Sequence, residues 1–211
     1  MFGEVTSRQE GDINRDVLVW HLPREMLAAS TAHHGGGIGL RRWVLNAEVP
    51  SDYRRTDVHQ HVLEIVDALK LKGEGIGMLT AARVRRYQQA VEAEVEVEAT
   101  IGLSHPTWAA SNDDSLLDVP QVGTVNIVAF LPVRLEDGAL LNALATATEA
   151  KSQALWDAHI PATGTASDAL SILCPLEGET QRFAGPRSEW GSRLARAVHR
   201  AVLAGAREWS T

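Results

Sequence analysis

Apolar and polar positions along the chain alternate or cluster in short blocks that read mostly as strands, with three longer stretches of helical period. Apolar runs predict strands over 17–22 and 26–31, separated by a turn at Pro23-Arg24-Glu25, and over 42–50, ended by Pro50. A further unit runs from 76–82 onward to residue 92. Over 94–103 the run Glu94, Val95, Glu96, Val97, Glu98 alternates strictly, which predicts a strand with one wet face. Val58, Val62, Ile65, Val66 and Leu69 recur at helical spacing and predict a helix over 58–71. Leu194, Ala195, Val198, Ala201, Val202 and Ala206 line one side of a closing helix over 191–208. Polar, turn-forming residues over 110–122 and 177–189 predict surface loops.

The stretch from Gly123 to Cys174 organises the rest. A buried strand over 125–133 passes through Glu136-Asp137-Gly138 into a helix over 139–158. A small-polar loop, Thr163 to Asp168, then feeds an apolar strand over 169–174. Two strands bracketing a helix make a βαβ-like unit. Elsewhere strands follow one another as often as they alternate with helices, which argues against a doubly wound sheet. The expectation is one α+β domain over 1–211, with a mixed or largely antiparallel sheet and helices packed on its outer faces.

Composition narrows the class. At 211 residues, with 45% hydrophobic and 22% charged positions, the chain has enough apolar material for a core without covalent staples. A net charge of −7 argues against a nucleic-acid partner. Cys174 has no second cysteine to pair with, which suits a reducing compartment. The first residues lack a signal-peptide pattern, and no apolar run is long enough for a bilayer. These features lead us to expect a cytoplasmic protein with no membrane partner.

Candidate chemistry concentrates in the central unit. Asn142, Thr146, Glu149 and Gln153 share one helix face, and Leu140, Leu141, Leu144 and Leu155 form another. Glu149 offers a carboxylate to activate water, and Lys151 an ammonium to stabilise an oxyanion. The following loop supplies Thr163, Thr165, Ser167 and Asp168; an Asx-type turn explains Asp168 equally well. Four glycines in Gly35-Gly36-Gly37-Ile38-Gly39 permit a tight turn or a close ligand approach, yet neither a Walker A motif nor a dinucleotide fingerprint follows. His33-His34 and Asp57-x-His59-x-His61 offer metal-ligand types, but both histidine pairs diverge in direction, and Asp57 reads equally as an N-cap. Cys174 reads as an inert buried thiol.

The ordered set of segments is similar to the adenosylcobinamide amidohydrolase family. The resemblance is carried by Gly123-Thr124-Val125-Asn126-Ile127, Thr146-Ala147-Thr148-Glu149-Ala150-Lys151 and the Thr163–Asp168 loop. Gly35-Gly36-Gly37, the strand with Asn46, Gly77-Met78-Leu79-Thr80 and Ala99 to Ser104 continue it, over roughly 28–206. His33-His34 depart from the pattern. The resemblance implies a hydrolase that cleaves the aminopropanol amide of adenosylcobinamide to give adenosylcobyric acid, for corrinoid salvage into coenzyme B12 synthesis. Cobalt would arrive in the substrate, with no cofactor or metal held by the protein, and a homo-oligomer is compatible. Beside the resemblance we expect Glu149 or Asp168 to activate water, Lys151 or Asn126 to stabilise the oxyanion, and Thr146 and Thr165 to orient the amide. A hydroxyl nucleophile, Thr165 or Ser167, is the rival route. Gly35, Gly36, Gly37, Asn46, Thr80, Thr148, Thr163 and Ser167 complete the expected substrate site. The competing functions are a corrinoid-binding module without hydrolysis, and a metal-dependent amidase of unrelated substrate using Asp57, His59 and His61. The Asp-x-His-x-x-Gly signature of base-off cobalamin binding is absent, because Val62 stands at its glycine position.

Overall fold

The computed structural model describes residues 2–112 and 123–209. In chain order its elements are β1 (Glu4–Glu10), β2 (Ile13–Ser30), β3 (Gly37–Glu48), α1 (Val58–Ala68), β4 (Gly75–Thr80), β5 (Gln88–Glu92), β6 (Val95–Gly102), β7 (Thr124–Phe130), β8 (Arg134–Leu135), α2 (Asp137–Asp157), β9 (Ala169–Cys174), β10 (Thr180–Gln181) and α3 (Glu189–Trp209). One sheet runs β4-β3-β2-β9-β7-β6-β5, and β1 pairs with the first half of β2. The β3–β4 and β7–β9 pairs are parallel and the other pairs in this sheet antiparallel. The expected mixed, mostly antiparallel α+β fold is therefore what the chain forms. The β7–α2–β9 crossover joins two parallel neighbours, as the central pattern predicted. From residue 113 on, the loop expected over 110–122 lies outside the described residues.

The sheet is strongly curled. Asn46 on β3 donates to Thr100 Oγ1 on β6 at 2.8 Å, although three strands lie between them in the sheet order. Side chains of opposite ends thus meet across a concave inner face. Period-two alternation sorts the strand residues between faces. Leu18, Trp20, Val44, Ile76, Val128 and Leu173 pack inside the curl. Val97, Ile127, Ile172 and their neighbours face outward beneath Leu140 and Leu155 of α2 and Leu194 and Val198 of α3. Val17, Val19 and Leu45 face outward beneath Ile65 of α1. Helices therefore cover both outer flanks, and no helix among the described residues is long and apolar enough to cross a membrane.

Several local expectations are corrected. The two strands expected at 17–22 and 26–31 are one strand, β2, with a register shift between His21 and Met26. Proline has no N–H for a ladder and is tolerated where an edge is free. Pro23 falls in that gap, after β1 pairing ends at Val19 and before β9 pairing begins at Leu27. The N-terminal strand β1 had no signal in the pattern, because its residues are mostly polar and exposed. The predicted wet face of β6 also fails at Glu98, which is 1% exposed. Its carboxylate accepts from Trp20 Nε1 in a short bond, from Gly3 N at 2.9 Å and from Gln89 Nε2 at 2.7 Å. A leucine face on α2 is likewise broken, since Leu141 is exposed.

Candidate active site

The inner face of the curled sheet ends in a cleft of about 310 Å³, lined among others by His33, Tyr53, Arg55, Thr80, Thr124, Asn126 and Ser167. Alternation explains the membership. Thr124 and Asn126 are two apart on β7 and point inward with Ala169 of β9, and Ser167 reaches the same cleft from the turn just before β9. Beneath the cleft lies a buried polar row. Asn126 Nδ2 donates to Asn46 Oδ1 at 2.9 Å and to Leu79 O at 3.0 Å, while Asn46 donates to Thr100. Asn126 Oδ1 is buried without a hydrogen-bond partner. Such an acceptor costs stability unless a water or a ligand bonds it, which makes Asn126 a candidate binding position. Thr80 Oγ1 accepts from Ala82 N at 3.0 Å and fixes the chain as it leaves β4. Thr124 and Ser167 hydroxyls bond each other at 2.7 Å, and Ser167 also donates to Gly123 O at 3.0 Å.

One residue later, Asp168 points to the opposite side of the sheet and meets α2. Lys151 Nζ makes a short ion pair with Asp168 Oδ2, both side chains being almost wholly buried. Oδ2 also accepts from Thr165 N at 3.1 Å, and Oδ1 from Val125 N at 2.9 Å and Thr165 Oγ1 at 2.6 Å. Thr165 Oγ1 lies 2.7 Å from Gly123 O as well. Asp168 thus bonds backward to Thr165 and across to β7, a wider role than an Asx turn. Gly164 lets the backbone pass over this pair, because a Cβ there would strike both Asp168 Oδ2 and Lys151 Nζ. On the outer side of the loop, Thr163 Oγ1 accepts from Ala109 N at 2.8 Å, and Thr107 N donates to Gly164 O at 2.8 Å. The result is a loop braced from beneath and from outside, with Ser167 held at the cleft.

Other expected site residues stand elsewhere. Thr146 is buried and donates to Ala184 O at 2.9 Å, and Asn142 Oδ1 accepts from Ala184 N at 3.1 Å. Glu149 and Gln153 share that face, as predicted, and line a separate groove with Arg196, His199 and Arg200 of α3. Thr148 is exposed and donates back to Leu144 O at 2.8 Å. Glu149 and Asn126 therefore do not line one cavity.

The glycines divide as well. Gly35 has φ +69°, and a Cβ there would collide with Gly75 O; one at Gly36 would collide with Ala32 O. Both let the segment pack tightly against neighbouring backbone, with Arg41 Nη2 donating to Gly35 O at 2.8 Å. Gly37, at φ +82°, faces open space. Of the histidines, His34 is buried, stacked on Trp43 at 5.9 Å, with its Nδ1 3.2 Å from His59 Nδ1. Burial and, next, the charge of His59 hold its pKa below the ordinary histidine value. His61 bonds Tyr53 Oη at 2.8 Å. Asp57 precedes α1 without a capping bond, because its carboxylate is taken by Arg55 at 2.7 and 2.9 Å. That bonding holds the Asp57 carboxyl down at about 2. Asp57, His59 and His61 thus have separate partners, and no metal-binding group of three or more His, Cys, Asp or Glu occurs among the described residues. Cys174 is buried, and burial raises its pKa, as fits an inert thiol. Sequence reasoning missed Thr124, Tyr53 and Arg55; the parity of β7 pointed to the first, whereas the other two lie on a loop with no periodic signal.

A curled mixed sheet, flanked by helices and ending in a polar cleft on its inner face, defines an α+β protein with a candidate small-molecule site. The chain belongs to the adenosylcobinamide amidohydrolase family, whose sequence model matches residues 3–211, more of the chain than the segments quoted above. It is 32% identical over 182 residues to an adenosylcobinamide amidohydrolase of Halobacterium salinarum, covering 83% of this chain and 78% of that one. It is 26% identical over 187 residues to an adenosylcobinamide amidohydrolase of Methanosarcina mazei, covering 84% and 88%. Among solved structures, the PH0078 protein from Pyrococcus horikoshii OT3 aligns over 99% of this chain and 83% of its own, with a TM-score of 0.46 and 11% identity.

Proposed function

We propose that this protein hydrolyses the amide joining the aminopropanol arm to the corrin ring of adenosylcobinamide, giving adenosylcobyric acid and the free amino alcohol. The observation that carries the reading is the family match across residues 3–211 of a chain with a polar cleft on its inner sheet face. A cleft of about 310 Å³ suits the arm and its amide, and the ring then lies across the mouth. Exposed Gly36 and Gly37 offer side-chain-free backbone to the amides around the ring's rim. Inside the cleft, the unpartnered Asn126 Oδ1 accepts from the N–H of the scissile amide, and the hydroxyls of Thr80, Thr124 and Ser167 orient that amide and stabilise its oxyanion. Asn46 holds Asn126, and Lys151, Asp168 and Thr165 act as positioning residues that fix the loop carrying Ser167. Asp168 already accepts from four donor groups, which favours this role over water activation.

The test is direct. Purified protein is incubated with adenosylcobinamide and the products are separated by chromatography. Adenosylcobyric acid together with the amino alcohol supports the reading. Tight corrinoid binding without product overturns it in favour of a binding module. Amidase activity on other substrates that a chelator abolishes and zinc restores overturns it in favour of a metal-dependent enzyme.

A further inference from the structure

Amide hydrolysis needs a group that takes a proton from the attacking oxygen and returns one to the departing nitrogen. The cleft's hydroxyls and amides do not supply it. Asp168 is engaged on the other face of the sheet, and Glu149 lines the separate α2–α3 groove. Of the titratable groups lining the cleft, Tyr53 bonds His61, and the Arg55 guanidinium is held by Asp57 and Glu64. His33 remains. It lines the cleft, its side chain is exposed, and no hydrogen bond, ion pair or ring contact engages it among the described residues.

The fold aims it there. His34 is locked behind it by Trp43, by His59 and by the bond from Gly77 N to His34 O at 3.1 Å. His33 occupies the bend just before the bridge residue His34, and its side chain is exposed at the cleft while that of His34 is buried. Tyr53 and Arg55 line the cleft with it, and His34, His59, Arg41 and Glu74 form the charged surroundings behind the segment.

We infer that His33 is the general acid–base of the hydrolysis, an inference that rests on the corrinoid amidohydrolase reading above. Neutral imidazole takes a proton from a water molecule as the water oxygen bonds to the amide carbon. The C=O π pair moves onto oxygen and gives a tetrahedral oxyanion, which the cleft's donors stabilise. When the C=O re-forms, the C–N bond breaks with its electron pair on nitrogen, and the imidazolium proton goes to that nitrogen. One water is consumed, one acid and one amine are released, and imidazole returns to its starting form.

The experiment compares wild-type protein with His33→Ala and His33→Gln on adenosylcobinamide. It measures single-turnover rate against pH, corrinoid binding by tryptophan quenching, and rescue by added imidazole. We expect His33→Ala to lose about 10²–10⁴-fold in rate, as for other positioned proton-transfer groups. Binding should stay within about threefold, the acidic limb of the pH profile should vanish, and imidazole should restore part of the rate. Turnover within about fivefold of wild type, or loss of binding with the bound rate intact, overturns the assignment. So does a nitrogen splitting in the EPR spectrum of bound cob(II)inamide that disappears in His33→Ala, because the imidazole would then be a cobalt ligand. If the wild type binds corrinoid but yields no product, the hydrolase reading falls and takes this one with it. Product from the wild type with undiminished variants removes this inference alone.

Discussion

Replacing Lys151 by Met tests whether the ion pair beneath the loop is a structural brace. Both charges are buried, and the Asp168 carboxylate would stay behind with Thr165 N, Thr165 Oγ1 and Val125 N as its remaining donors. Removing one partner of a buried pair costs about 3–5 kcal/mol, chiefly because the other charge is left uncompensated. Three surviving charge-assisted bonds hold the cost to the low end, about 3 kcal/mol. For a chain of this size that lowers the melting temperature by about 6–12 °C. Asp168→Leu and the double variant complete a cycle. The double variant should be less destabilised than the two single costs summed, with a coupling of about 2–3 kcal/mol. Thermal and urea melts of all four proteins, with exposed Lys72→Met as control, provide the measurement. A Lys151→Met shift within about 1 °C of the control, or additive single effects, would refute the brace. The same variant should keep its corrinoid affinity and lose rate, since Ser167 sits on the loosened loop.

Three further outcomes are expected. Gly35→Ala should destabilise by more than about 3 kcal/mol, because φ is +69° and the added Cβ strikes Gly75 O, whereas Gly37→Ala, facing open space, should cost about 1 kcal/mol; equal urea midpoints would contradict this. Glu98→Ala should cost about 2–4 kcal/mol by stranding Trp20 Nε1 and Gly3 N, and a near-unchanged melt would argue against it. His34 and His61 titrate below the ordinary histidine value, the first through burial and then His59, the second through burial and then Arg55. The unfolded chain therefore takes up protons below about pH 6.5 that the folded chain refuses, so stability should fall as pH drops from about 6.5 toward 5. His34→Phe should flatten that slope in pH-resolved melts, and an unchanged slope would count against the assignment.

The sequence disclosed the fold where one physical signal dominated. Continuous apolar runs at β7 and β9 with a long helix between them leave few arrangements other than a parallel crossover. The neighbouring wrong readings share one cause, which is tertiary pairing that no local window contains. Pro23 looks like a turn until β1 and β9 are seen to leave that edge of β2 free. Glu98 looks solvated until Trp20, Gly3 and Gln89, from three other parts of the chain, converge on it. Site residues behaved the same way. Asn126, Asn46, Thr80 and Ser167 could be singled out by chemistry, but their meeting depends on the curl that brings β3 against β6.

Parity then separates residues that the sequence presents as one polar cluster. Ser167 and Asp168 are adjacent in the turn entering β9, and Thr124 and Val125 are adjacent on β7, yet each pair divides between opposite faces. Side chains of Thr124, Asn126 and Ser167 consequently enter the cleft, while Asp168 turns to meet Lys151 under α2. Glu149, two residues before Lys151, rotates about 200° away on its helix and opens on α3 instead. A reaction at the cleft must therefore draw its groups from the inward set, together with whatever the loops add at the rim. At that rim the fold spends a histidine pair asymmetrically, one ring buried as an anchor and the other left exposed over the amides and hydroxyls. The anchor explains why the segment before the glycines can be rigid enough to hold a free imidazole in place, which a flexible glycine turn alone would not do.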